Sequence, residues 1–327
     1  MKRFLTLCAG LLLISALTLA SGKKKLGIVM PAATHGFTGE SIKAAQKGAE
    51  TFSKEMNFDY QFLTANESSE QNNQIDTLLN SKVDAIVLWP LNGNELRSAA
   101  MKIVEAKIPL VIYDRLIENF TPTVEVMGDN FTIGEKAGAY FSKYFAEELK
   151  KGKVNLLEFK GDNSTVPQQR TDGFNKTADK NLNWYQAFST DWQRQKAREQ
   201  MENFLNNGKK EDVESIRGIF THDDEVVLGI LDAIAAYDGN KKINIKLISG
   251  VQANKDFFAA LEAYKGKIDL MTYSFSPVMV RDAVKIGGEI LNGKSYSGLV
   301  LLPTVEVDGS NYKEYMNSEE YKLRYED

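Results

Sequence analysis

The chain is poor in the residues that covalent and metal frameworks need. Its 327 residues include one cysteine, Cys8, and two histidines, His35 and His222. A disulfide scaffold requires paired cysteines and a structural zinc site about four Cys or His ligands, so both are excluded. A basic surplus is also missing, since 40 Lys and Arg face 44 Asp and Glu for a net charge of −4. Gripping nucleic-acid phosphates takes a clustered basic excess, so no nucleic-acid partner is expected. No Pro/Gly/Ser-rich linker divides the chain, and no long uncharged apolar run occurs after the first twenty residues. What remains is 43% apolar and 26% charged, the mix of an ordinary globular protein. The length suggests two domains of about 150 residues each.

Residues 1–20, MKRFLTLCAGLLLISALTLA, read as a secretory signal peptide. Lys2 and Arg3 make a short basic start, an apolar stretch follows, and Thr18 and Ala20 are the small residues of a cleavage site. The apolar stretch covers residues 4–19, short of the ~20 needed to span a bilayer. Cys8 stands near its beginning rather than at its end, so lipid attachment is not expected. Loss of the leader removes Lys2, Arg3 and the sole cysteine, and moves the net charge from −4 to −6. The expectation is an exported, periplasmic protein that folds without disulfides.

From Leu26 onward, short apolar runs alternate with amphipathic stretches. Strands are expected at 26–30, 60–63, 84–89, 109–114, 124–128, 154–159, 184–189, 217–221, 246–250 and 270–275, with helices between them. Apolar strands separated by helices of 10–15 residues indicate parallel sheets covered on both faces. About eleven strands are too many for one small sheet, so two α/β lobes of one architecture are expected. Residues 299–307, LVLLPTVEV, lack a following full helix and are expected to cross between lobes. The tail from Asn311 reads as a polar and aromatic surface extension.

In open α/β sheets, ligands bind beyond the carboxyl ends of the strands. Those positions hold Thr34-His35-Gly36-Phe37-Thr38, Asp114-Arg115, Gly128-Asp129-Asn130, the segment 161–170 ending in Arg170, Asp191-Trp192, His222-Asp223-Asp224 and Gln252. Planar donors and acceptors read hydroxyls, and aromatic faces cover an apolar C–H patch, so the set suits a small polyhydroxylated ligand. Trp89-Pro90 ends the third strand, either as cleft wall or as packing. Residues 288–295 satisfy the phosphate-loop pattern G-x-x-x-x-G-K-[ST]. A true phosphate loop follows a strand and opens a helix, whereas this segment ends an amphipathic helix with Gly293 as its cap.

IPLVIYDR (108–115), VMGDN (126–130), QQRTDGF (168–174) and FTHDDEVVLGILDAI (220–234) resemble the type I periplasmic sugar-binding proteins of ABC transporters. NNQIDTLLNSKVDAIVLWP (72–90) fits the same family, and the likeness runs from about Leu26 to about Pro303. The ribose-, galactose- and galactofuranose-binding members are the nearest in pattern. The resemblance implies two Rossmann-like lobes, doubly wound parallel sheets joined by three crossings. One lobe would span 24–129 with 275–303, the other 130–274 with 304–327. It implies a sugar or polyol held in the cleft by hinge closure and delivered to an inner-membrane permease, with no catalysis, no cofactor and no metal, in a monomer. Carried over by position, Asp114 and Arg115 would bond hydroxyls from one lobe, Arg170 from the other. Trp192 would stack on the ring and Phe37 would cover its opposite face. Asp223 stands where relatives often carry Asn, and Gln252 where many carry Asp, so no particular sugar is transferred. His35, Thr38, Asn130 and His222 are further candidates, with Ser274 and Phe275 at the third crossing.

Presentation of the bound ligand to a chemoreceptor or sensor kinase is the alternative use of such a body. Sugar-responsive repressors also share it, but carry an N-terminal DNA-binding domain in place of this leader. A hydrolase is the remaining class. No G-x-S-x-G elbow is present, though Asp114 with Asp223 could imitate a glycosidase pair.

Overall fold

The expected strands form, with edges shifted by one or two residues. A computed structural model describes residues 22–33 and 36–325. The leader with Cys8, and His35, lie outside the described residues. The strands are β1 (Lys25–Pro31), β2 (Asp59–Ala65), β3 (Ala85–Leu88), β4 (Leu110–Tyr113), β5 (Val124–Gly128) and β6 (Val154–Lys160). They continue with β7 (Leu182–Ser189), β8 (Ile216–Thr221), β9 (Leu247–Ser249), β10 (Asp269–Tyr273), β11 (Gly298–Leu302) and β12 (Glu306–Asp308).

Two six-stranded sheets result, in the orders β11-β5-β4-β3-β1-β2 and β12-β10-β9-β8-β6-β7. The central strands β3 and β4 are buried at every residue, whereas the edge strands β2 and β7 are mostly open. That is why the former read as unbroken apolar runs. Each sheet is doubly wound, and its strand order reverses beside its first strand, β1 in one sheet and β6 in the other. Such reversals open a crevice at the carboxyl ends.

The chain passes from one sheet to the other between β5 and β6, between β10 and β11, and between β11 and β12. At the first passage Asp129 caps the helix Asn130–Tyr144 by accepting from the Thr132 N–H at 3.0 Å. The last two passages lie side by side: Ser274 N–H donates to the Val305 carbonyl at 2.7 Å, and Val305 N–H donates to Ser274 Oγ at 2.9 Å. The segment 303–305 re-enters the second sheet at the end where Ser274 leaves it, so the returning strand runs back against β10. β12 therefore pairs antiparallel with β10, Thr272 opposite Val307, and the sheets are not parallel throughout.

The phosphate-loop pattern falls on the helix Val280–Leu291 and its end. Gly293 takes φ 88°, and Lys294 N–H donates back to the Glu289 carbonyl at 3.0 Å, a left-handed helix stop. The tail departs from the expected surface extension. Tyr312, Tyr315 and Tyr321 are buried, with ring centroids 5.7, 6.0 and 5.8 Å from that of Phe258 on the helix Lys255–Tyr264. Aromatic area outweighs the polar composition of this segment. Phe258→Ala is expected to cost about 3–5 kcal/mol of unfolding free energy. A urea titration checks it, and a loss below about 1 kcal/mol would mean that the tail adds nothing to stability.

Candidate ligand-binding site

The carboxyl ends of both sheets face a common cavity. From the β1–β5 side come Phe37, Trp89, Asp114 and Arg115; from the other come Arg170, Trp192, His222, Asp223 and Gln252. Phe275, just past β10, completes the aromatic wall, and Val166 and Val251 fill two corners.

The aromatic frame is set first. Phe37 lies 5.6 Å from Phe275 and 6.0 Å from Trp89 between ring centroids, and Trp89 stands edge-on to Tyr113 at 5.3 Å. Two glycines make room for it. A Cβ on Gly128 would fall 2.0 Å from the Phe275 ring, and one on Gly161 would fall 2.1 Å from the Trp192 ring. Trp89 is both wall and packing. It is 1% exposed, and its indole N–H donates to Asp114 Oδ2 at 2.9 Å. The buried Gln71 fixes its turn, donating to the Trp89 carbonyl and accepting from the Leu91 N–H, both at 2.8 Å.

The polar groups follow. Arg115 donates to Asp162 Oδ2 at 2.8 Å, joining the two halves, and also to the Leu91 carbonyl. Its Nε lies 3.8 Å from Asp114 Oδ2 and has no hydrogen-bond partner among the described residues. Arg170 donates through Nε to Asn130 Oδ1 at 2.9 Å and through Nη1 to the His222 carbonyl. Its guanidinium carbon lies 5.0 Å from the Phe275 ring centre and 5.8 Å from that of Trp192. Asp223 accepts from the Glu225 N–H at 2.7 Å, starting the helix Asp224–Ala236, and from Gln252 Nε2 at 2.6 Å. Asp224 turns away to accept from Thr272 at 2.7 Å and from the Asn254 N–H at 2.9 Å.

Three expected residues take other places. Asn130 is buried as the partner of Arg170 rather than as cavity wall. Thr38 is buried in the first turn of the helix Gly36–Glu55, outside the cavity lining. The Ser274 hydroxyl is engaged by the crossing backbone. Gln71 and Asp162 were not singled out; Asp162 falls in the strand-end segment 161–170, whereas no sequence signal marks Gln71.

Burial sets the protonation pattern. It pushes Asp223 up to about 8, with the Asp224 charge adding to the rise, and Asp224 up to about 7. It also raises Asp114, against the pull of Arg115 and Arg170. His222 is lowered by burial and stays neutral at pH 7, while Arg170, lowered to about 10, stays charged. A protonated Asp223 donates a hydrogen bond as well as accepting one, so it can serve either end of a hydroxyl.

Two sheets of this winding, with polar and aromatic groups from both converging on one cleft, define a two-lobed small-molecule-binding protein. Residues 26–295 match the family model described as the periplasmic binding protein domain, and the chain belongs to that family. It is 29% identical over 240 residues to the ribose import binding protein of Bacillus subtilis, covering 73% of each chain. It is 23% identical over 304 residues to the fructose import binding protein of Bifidobacterium longum, covering 91% of this chain and 88% of the relative. Among solved structures, a Mycobacterium smegmatis protein in complex with β-D-fucofuranose superposes with a TM-score of 0.79 at 22% identity, over 92% of this chain and 96% of that one. An ABC transporter solute binding protein from Bacillus halodurans with bound myo-inositol gives 0.77 at 22% identity, over 91% and 99%.

A carboxyl whose folded pKa exceeds its unfolded value near 3.8 holds an extra proton in the folded state. The stability this proton confers is complete below about pH 4 and is lost as pH rises to about 8. Asp223→Asn cannot ionise. It is expected to flatten the fall in thermal midpoint of the ligand-free protein from about pH 5 to about pH 8, and to raise the midpoint at the upper end. Parallel curves for variant and wild type would show Asp223 ionised throughout.

Proposed function

We propose that this protein captures a small sugar or polyol between its lobes, with no chemical step, and presents it to the permease of an ABC importer. One observation carries the reading: hydroxyl-reading groups from both sheets line one small cavity that is walled by aromatic faces. Asp114 and Arg115 act from one side, Arg170, Asp223 and Gln252 from the other. The ligand therefore gains its full set of contacts only when the lobes meet around it. Buried polar atoms support the same reading. Arg115 Nε and His222 Nδ1 lack hydrogen-bond partners among the described residues, and a buried polar group without a partner costs about 1–3 kcal/mol. A ligand hydroxyl repairs such a deficit.

Trp192 stacks on the ring and Phe37 covers its opposite face, while Arg170 and Asp114 bond its hydroxyls. Binding favours the closed arrangement, and a permease that docks only that shape reads the ligand's presence. The named relatives are ribose and fructose import binding proteins and the matching family model is the periplasmic binding protein domain, which supports an exported, periplasmic location; a monomer is the proposed working form.

Isothermal titration against pentoses, hexoses in furanose form, and polyols is expected to find at least one ligand with a micromolar Kd, about −8 kcal/mol. Trp192→Ala and Arg170→Ala are each expected to weaken it by about 2–4 kcal/mol, roughly 30- to 1,000-fold, with unchanged circular dichroism. A panel without binders, or variants that bind as tightly as wild type, overturns the reading.

A further inference from the structure

The C-terminal helix Glu319–Tyr325 reaches the site that the strand ends build. Its Arg324 is almost completely enclosed, with a side chain 2% exposed, yet it stands within a few residues of the chain end. The guanidinium makes three hydrogen bonds. Nε donates to Glu40 Oε2 at 2.6 Å, Nη1 to the Gln252 carbonyl at 3.0 Å, and Nη2 to Gln252 Oε1 at 3.1 Å. Glu40 belongs to the helix Gly36–Glu55, which packs on the β1 sheet and carries Phe37. Gln252 follows β9 in the other sheet. One side chain thus joins the two lobes beside the cavity.

The contact also fixes which way the Gln252 amide points. With Oε1 held by Arg324, Nε2 is left to donate to Asp223 Oδ2 at 2.6 Å. An amide turned the other way would set its NH₂ against the guanidinium, donor against donor. The same arginine holds the Gln252 carbonyl while the backbone there takes φ 137°, followed by Ala253 at φ 55°. Both values lie in a region that side-chain-bearing residues avoid, so an external partner has something to hold. The helix is itself moored to the second lobe. Tyr321 packs on Phe258, and the Lys255 N–H donates to the Tyr325 hydroxyl at 3.0 Å.

The geometry points to Arg324 as a positioning residue of the ligand site and as the latch through which the C-terminal helix holds the cleft closed on its ligand. This rests on the sugar-capture reading for the ligand's class, but the latch is readable without any ligand. A planar fork that meets three acceptors is specific to arginine, so lysine at this position can restore the charge and only part of the bonding.

The test compares wild type, Arg324→Gln, Arg324→Lys and Glu40→Gln. Glu40 is 41% exposed, so its variant leaves the fold intact if Arg324→Gln does not. Titrations use D-ribose, D-xylose, D-fructose and myo-inositol. Small-angle scattering gives the radius of gyration of each ligand-free protein. Arg324→Gln is expected to weaken any probe that wild type binds by about tenfold, mainly through faster release, and Glu40→Gln, which removes only the ion pair, by about two- to fivefold. Arg324→Gln alone, by freeing the Gln252 amide, is expected to change the ratio of affinities for the epimers ribose and xylose. Arg324→Lys is expected to fall between. Both neutral variants are expected to have a larger radius of gyration than wild type. Unchanged affinities and an unchanged radius in both variants overturn the latch. If wild type binds none of the probes, sugar capture fails as a reading of this site, and scattering alone decides: expansion upholds the latch and an unchanged radius rejects it.

Discussion

A guanidinium inside a protein must have its charge balanced and its N–H groups bonded, or it will not stay there. Arg170 is 2% exposed, and much of the site can be read as the means of keeping it so. Asn130 and the His222 carbonyl take two of its donors. Phe275 and Trp192 offer ring faces, which attract a cation that has left water. Asp114 stands across the cleft, and Asp223 and Asp224 stand on its own side, and all three act on its charge. These partners come from separate segments of the chain. The first interlobe passage, the end of β8, the turn after β7 and the segment past β10 must all be in register for Arg170 to be satisfied. The same groups then form a polar and aromatic cavity without further design.

The backbone bears part of this cost. Asp114, Trp192 and Gln252 adopt φ values of 66°, 62° and 137°, in a region that non-glycine residues seldom occupy. Each stands just past the carboxyl end of a strand or the turn that follows. All three side chains line the cavity. Strain of about 1–3 kcal/mol per residue persists only where surrounding contacts over-determine the conformation. The Trp89 indole on Asp114, the space left by Gly161 for Trp192 and the Arg324 fork on Gln252 are those contacts.

Much of this was legible in the sequence, for a physical reason. Strands buried on both faces read as unbroken apolar runs, and β3, β4 and β8 stand out on sight. Once the strands were placed, their carboxyl ends named Phe37, Asp114, Arg115, Arg170, Trp192, Asp223 and Gln252, all of which line the cavity. Residues that act through distant partners were not legible. Gln71 grips a carbonyl 18 positions away, Asp162 pairs across 47, and Arg324 meets Glu40 across 284. Asn130 and Ser274 stand in the expected loops but engage Arg170 and the crossing backbone, because position in a loop does not say which way a polar side chain turns. The tail misled through composition. Its tyrosines stand at helical spacing, Tyr312 with Tyr315 and Tyr321 with Tyr325, on two short helices too polar elsewhere to mark a buried face until Phe258 is set among them.

Two ion pairs join the lobes beside the cavity, Arg115 with Asp162 and Arg324 with Glu40. Asp162 is 21% exposed and Glu40 is 41% exposed, so water reaches one partner of each pair. Pairs open to solvent in this way are worth about 0–1 kcal/mol apiece, and the added carbonyl and amide bonds raise that only modestly. For the proposed capture of a sugar, links this weak would leave open and closed arrangements near balance. A ligand bound with the expected free energy of about −8 kcal/mol, gained mainly when both walls are present, would then outweigh them. Moving a two-state equilibrium from 1:99 to 99:1 takes about 5.5 kcal/mol of differential affinity, which lies within that total. Weak, solvent-reached links around a cavity lined by aromatic and polar groups therefore suit the proposed ligand-gated closure. Stronger links would shut the lobes in the ligand's absence and remove the signal that the proposed docking partner reads.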